Sequence, residues 1–191
     1  MVADDLPVLA FADAKEWEHW LAGQPPATPG IWLKIAKKAS GIATVTYSQA
    51  LDVALCHGWI DGQKGSYDED YFLQRFTARR PRSRWSKINC DRVTALSAAG
   101  RMAPAGERQV ELAKADGRWD AAYDGQRSAT VPVDLAAALA GNDAARSFFD
   151  SLDRTNRYAI LYRIGAATRP ATRTARIERL VAMLAEGQKP Y

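Results

Sequence analysis

The sequence predicts an α+β fold, with a small antiparallel β-sheet of about three strands packed with helices and a helical C-terminal part after it. Three observations carry this. "GIWLKIAKK" alternates Ile31, Leu33 and Ile35 against Trp32 and Lys34, the period of a strand with one face on a core. "TYSQALDVALCHG" has the signature of a capped helix. Beyond the linker candidate "YDGQRSATVP", the apolar spacing is helical to the end.

Each element follows in order. "FADAKEWEHWLAGQ" sets Phe11, Trp17, Trp20 and Leu21 near helical spacing, and Gly23 with Pro25-Pro26 closes it. After the Ile31 strand, "ASGIAT" reads as a turn. In the next helix, Thr46 accepts from the amide of Gln49 while the Gln49 side chain reaches back. Tyr47, Leu51, Ala54 and Leu55 form its buried stripe, and Gly58 is its left-handed terminus. "WIDGQK" and "YFLQRFTAR" are two further strands joined by the polar turn "GSYDED".

From Ser83 to Ala99 the spacing is helical again, with Ser83 as cap and Trp85, Ile88, Leu96 and Ala99 on one arc. Asn89 and Arg92 fall on that same arc and so need partners. Gly100 ends the helix, Pro104 opens the next, and Asp116-Gly117 ends that one. Three helices complete the chain: Leu135–Leu139 continuing to Phe148-Phe149, then "NRYAILYRI", then "ATRTARIERLVAMLAEG". Residues 1–191 read as a single domain, with a subdivision into an α+β core over 1–120 and a helical part over 130–191.

Composition narrows the class. Apolar residues make up 47% and charged residues 25% of the 191, the balance of a globular chain. The net charge of +4 is unevenly spread, with acids at Asp68-Glu69-Asp70 and arginines over 75–92 and 154–179. An isoelectric point near 9.1 permits a polyanionic partner without requiring one. The start, "MVADDLPVLAFADAKEW", carries acids where a signal peptide carries bases. No stretch approaches the roughly 20 apolar residues of a membrane span. The expectation is a cytoplasmic protein without membrane insertion, its two cysteines reduced.

"ALCHGWIDGQ" raises three chemistries. A nucleophilic cysteine needs a base within reach, and adjacent helical residues such as Cys56 and His57 point about 100° apart. Zinc needs three or four ligands, and this chain has two histidines, two cysteines and no CxxC. Neither GxxxxGK[ST] nor GxGxxG occurs. No cofactor, metal or catalytic residue is therefore expected.

"RRPRSRWSKIN" is the stronger signal. Arg79, Arg80, Arg82, Arg84 and Lys87 crowd the start of the predicted Trp85 helix, an arrangement that suits compensating acids or a bound anion. The expected ligand-binding set has Asp61 and Gln63 orienting, Arg75, Arg79, Arg80 and Arg82 neutralising charge with Lys87 beside them, and Trp59 and Trp85 as walls. Asp61 is expected to pair across strands with Arg75. The C-terminal arginines, Arg169, Arg173, Arg176 and Arg179, read as a solvated helix face.

As a set, "ALCHGWIDGQ", "YFLQRFTARRPRSRWSKIN", "GRMAPAG", "AKADGRWDAAY" and "NRYAILYRI" resemble the bacteriocin-protection, YdeI/OmpD-associated family, from about Gly30 to Gly187. The resemblance implies a role in protection or stress and an association with an outer-membrane porin, and it brings no catalytic residues. The family pattern has an aromatic residue where His57 stands, which counts against His57 as a catalytic group. The expected function is a non-enzymatic protection protein whose arginine-rich cleft binds an anionic small molecule or an acidic protein segment. The alternatives are an enzyme acting on a phosphorylated or carboxylated substrate, with Asp61 or His57 as its acid/base, and a nucleic-acid-binding module. Oligomeric state is not legible in the sequence.

Overall fold

A computed structural model describes residues 5–25 and 27–190. The acidic start at Met1–Asp4 and the Pro26 half of the Pro25-Pro26 stop lie outside the described residues. The chain divides into two compact units, Met1–Ala122 and Tyr123–Tyr191. The fold is α+β with a helical C-terminal part.

The first unit contains a four-stranded sheet in the order β1-β2-β4-β3, from β1 (Val8–Leu9), β2 (Ile31–Ala36), β3 (Trp59–Ser66) and β4 (Tyr71–Ala78). The three longer strands are antiparallel, as their alternation predicts. The short β1 is an addition, and it runs parallel to β2. Two apolar residues are too few to show a period, so it left no sequence signal.

Helices α1 (Ala14–Ala22) and α2 (Tyr47–Cys56) contribute to the core with one sheet face. Asp13 caps α1 by accepting from the amides of Lys15 and Glu16. The buried indole of Trp17 donates to the Ala50 carbonyl at 3.0 Å, tying α1 to α2. The capping box of α2 forms as read, with Thr46 and Gln49 exchanging bonds. Leu51, Ala54 and Leu55 are buried, but Tyr47 is 39% exposed and sits outside the stripe. It occupies the first turn, where its ring extends over the sheet edge to Asp61. Strand β2 is buried on both faces, since Trp32 is also enclosed, unlike the one-sided strand its alternation suggests.

Helix α3 (Lys87–Ala98) begins later than predicted, because Ser86 and not Ser83 caps it, accepting from the Asn89 amide. Trp85 therefore precedes the helix. Cys90, Val93 and Leu96 form its buried face, whereas Ile88 is 55% exposed. Arg92 finds the partner that its position demands, a 2.6 Å contact to Asp52 on α2.

Helix α4 (Pro104–Ala115) starts against the C-terminus of α2. The Ala103 amide donates to the Cys56 carbonyl at 3.1 Å, and a Cβ on Gly106 would lie 2.1 Å from that same oxygen. Only glycine permits so close a backbone approach. Gly58 adopts the left-handed conformation expected of it, with φ +75°.

The second unit holds four helices where three are predicted: α5 (Val133–Ala140), α6 (Asp143–Ser151), α7 (Arg154–Gly165) and α8 (Pro170–Ala185). The Leu135–Phe149 segment breaks at Gly141, and Asn142 restarts it by accepting from the Ala145 amide. Leu135, Phe149, Ile160, Ile164, Ile177 and Leu184 belong to its separate core. The solvated arginine face holds for Arg169 and Arg179, which are exposed, and is corrected for the other two. Arg173 and Arg176 of α8 turn back and donate to the carbonyls of Ile164 and Arg163 at the end of α7. Unsatisfied carbonyls of a helix C-terminus attract cations, which outweighs free hydration of these side chains. Among the described residues no helix is long and apolar enough to cross a membrane.

Candidate functional site

The arginine-rich segment lies at the end of β4 and the turn after it, on the sheet face away from α1 and α2. Its geometry begins with a bulge. Asp61 pairs with Phe76 and Lys64 with Gln74, so Gly62 and Gln63 together face Arg75. The buried Gln74 side chain holds the bulge by donating to the carbonyls of Gly62 (2.8 Å) and Gln63 (3.2 Å). Because Gly62 has no side chain, the stem of Arg75 lies along it; a Cβ there would be 3.5 Å from that of Arg75.

The turn after β4 is closed locally. The Arg80 amide donates to the Ser83 hydroxyl at 3.1 Å, and the Ser83 amide donates to the Arg80 carbonyl at 2.9 Å. Arg118 clamps the same turn, donating to the Ser83 carbonyl at 2.8 Å while Asp116 holds its Nε at 2.7 Å. That guanidinium holds the Asp116 carboxyl below its ordinary range, chiefly through the hydrogen bond. Arg118 and Ser83 were missed in the candidate set, and only the short Asp116-Gly117-Arg118 spacing hinted at Arg118.

The result is an open depression of about 390 Å³ with Gln63, Arg75, Thr77, Arg80 and Ser83 among its lining residues. Among the described residues its remaining lining is Gly62 and Ala78, and none of that lining is a carboxylate. A second depression of about 760 Å³ shares Arg75, Thr77, Ala78 and Arg80 with it and adds Arg79, Pro81, the Thr28-Pro29 segment and an acid, Asp5, to the lining. Arg80 is exposed, and its guanidinium meets no carboxylate among the described residues.

The other candidates are placed elsewhere. Arg79 is only 6% exposed, with its guanidinium 3.5 Å above the Trp85 ring and Nη1 donating to the Arg84 carbonyl. Trp85 is 1% exposed and packs on Trp119 at 5.0 Å, so it supports Arg79 and does not wall the depression. Trp59 belongs to the core, edge-on to Trp20 at 5.9 Å. Arg82 at the turn tip and Lys87 at the start of α3 are exposed and line neither depression.

Asp61 departs from its expected role for a reason of parity. Its register partner is the core-facing Phe76, so its side chain leaves the sheet on the face opposite Arg75. There it accepts from the Tyr47 hydroxyl at 2.7 Å. Burial, then this hydrogen bond to a carboxylate, raises the Tyr47 phenol well above its usual range.

The cysteine junction is inert in geometry. Cys56 is 1% exposed, and burial pushes its thiol upward; Cys90 shifts the same way for the same reason. The His57 Nε2 lies 3.6 Å from Glu18, turned to α1. Among the described residues no group of three or more His, Cys, Asp or Glu side chains is placed to hold a metal ion.

Residues 9–109 match the family model described as Domain of unknown function (DUF8412), and residues 128–187 match the model described as Bacteriocin-protection, YdeI or OmpD-Associated. The resemblance read from about Gly30 onward is thus met by the second model in the helical part, while the sheet and its motifs fall to the first. No curated protein and no solved structure matches the chain. The first match spans more than half of the sequence, and the chain belongs to that family.

Proposed function

We propose that the protein is a non-catalytic binding protein of cytoplasmic stress or bacteriocin protection, and that its sheet-face depression takes an anion. The ligand is a phosphorylated or carboxylated group, carried by a small molecule or by an acidic segment of a partner protein. The second family match supports the protective role.

One observation carries the binding reading: the exposed Arg80 guanidinium, the Gln63 carboxamide and the Thr77 and Ser83 hydroxyls line one depression, and no described residue of that lining is an acid. Guanidinium forks and neutral donors match the oxygens of phosphate or carboxylate. The bulge and the Arg118 clamp hold those donors in place before any ligand arrives, which lowers the cost of binding. Reaction chemistry lacks a comparable basis, because Asp61 is on the other face and His57 is directed toward Glu18.

The test is calorimetric titration of the full chain with pyrophosphate, citrate and an acidic peptide, and with short DNA and RNA at two salt concentrations. Arg80→Ala should weaken anion binding about tenfold or more, while Arg82→Ala at the turn tip should leave it within about twofold. Equal losses in both variants, with a steep salt dependence on nucleic acid, would move the reading to a nucleic-acid module. Absence of binding to every probe would end the anion reading. In cells challenged with a bacteriocin, Arg80→Ala should lose whatever protection the wild type confers.

A further inference from the structure

A third cavity lies in the first unit, on the helices that follow the arginine turn. Helices α3 and α4 meet at the Met102 loop and diverge from it, leaving a cleft of about 430 Å³. Its apolar surface comes from Val93, Met102, Val110 and Trp119. Its α4 wall carries Glu107 and Glu111, one helical turn apart and therefore on one face. Both carboxylates are exposed, and neither has an ion-pair partner among the described residues.

The cleft is polar along its length. Glu107 lies at the Met102 end of α4, while Lys114 and Trp119 lie at the other, where the Trp119 amide is held by the Ala113 carbonyl. The Lys114 ammonium sits 5.3 Å from the Trp119 ring, and Trp119 in turn packs on the buried Trp85. The aromatic end is thus braced from behind. Glu107 is seven positions from Lys114, about 10 Å of rise, and Glu111 is three positions from it, about 4.5 Å. Two carboxylates against one lysine make the cleft locally anionic in a chain whose net charge is +4.

We propose that this cleft binds an aryl-alkyl amine: a flat aromatic ring against Trp119 and the apolar floor, and an ammonium between Glu107 and Glu111. The size fits such a ligand, since small-molecule clefts begin at about 300 Å³. The ring gains apolar burial and an offset contact with the indole. The ammonium gains two charge-assisted acceptors, of which Glu107 lies two helical turns from Lys114 and Glu111 one. An anion of the same shape would meet the carboxylates and lose on both counts. This site takes a charge opposite to that of the arginine depression, and it stands or falls independently of it.

The test uses isothermal titration of the full chain with tryptamine, and with indole-3-acetate as an anion of similar size. Tryptamine should bind at least tenfold more tightly than indole-3-acetate. Glu107→Gln/Glu111→Gln should abolish that preference by weakening tryptamine about tenfold, with the melting temperature unchanged because both side chains are exposed. Ala98→Trp, a substitution at an exposed lining position, should block both probes by filling the cleft. Equal affinity for amine and anion, a preference that survives in the double glutamine variant, tryptamine binding that survives Ala98→Trp, or no tryptamine binding by the wild type would each overturn the proposal.

Discussion

The arginines after β4 and the arginines of α7 and α8 are the same residue at similar density, and they end in opposite situations. Net charge points to the wrong set. Residues 123–191 hold ten Lys and Arg against seven Asp and Glu, whereas residues 1–122 hold sixteen against fifteen. Yet in the helical unit Arg157, Arg173 and Arg176 reach carbonyls near the C-termini of α6 and α7, and Arg173 also forks onto Asp134. In the sheet unit Arg80 lines a depression with no carboxylate among its described lining residues. A guanidinium becomes structural or available according to the acceptors that its backbone neighbourhood leaves unsatisfied. Helix ends supply such acceptors to Arg157, Arg173 and Arg176, whereas the carbonyls of Ser83 and Arg84 beside the turn are taken by Arg118 and Arg79 and not by Arg80.

The largest test of this contrast concerns Arg79, which belongs to the structural class despite its place in the sequence cluster. Trp85→Ala removes the ring beneath its guanidinium and opens a cavity beside Trp119. It should cost about 3–5 kcal/mol in denaturant unfolding. A loss under about 1 kcal/mol would mean that the Arg79–Trp85–Trp119 stack does not hold the turn.

Next in size, Arg173→Ala should destabilise the full chain by about 1–2 kcal/mol, since it removes a helix-terminal bond and a two-point ion pair together. Arg80→Ala should change stability by less than about 0.5 kcal/mol. If the two variants were equally destabilised, the contrast between the regions would collapse.

Acid should reach the helical unit through the same pair. The Arg173 hydrogen bond holds the Asp134 carboxyl below its ordinary value of 3.8. Its contribution is therefore present above that value and is lost as pH falls through the lower folded-state value. The stability gap between wild type and Asp134→Asn should be steady above about pH 5 and shrink toward pH 2. A gap independent of pH would assign the Asn effect to packing.

Among the variants that remove a formed bond, the smallest loss belongs to Tyr47→Phe, which deletes the donor to Asp61 and should cost about 1 kcal/mol. Anion binding should not change, because Asp61 lies on the opposite sheet face. A loss of binding in this variant would join the two faces and contradict the parity of the register.

Much of the fold was legible because its signals are local. The Thr46–Gln49 box spans three residues, Gly58 ends its own helix, and β2 to β4 show as short apolar and polar runs. The candidate site was legible only in outline. Gln63, Arg75 and Arg80 come together as expected, but Trp59 and Asp61 belong to the other face. A one-residue bulge decides which face each side chain after Asp61 takes, and the bulge is held by Gln74 from the neighbouring strand.

By itself the sequence determined most of the elements and caps and the demand that Arg92 find a partner, because these depend on residues within a turn or two. Tertiary structure alone decided the partners. Tyr47 meets Asp61 across 14 positions, Arg118 meets Ser83 across 35, and Arg92 meets Asp52 across 40. A charged side chain is several ångströms long and flexible, so local spacing sets where it starts. Where it ends depends on which acceptors packing brings within reach, and those come from elements distant in the chain.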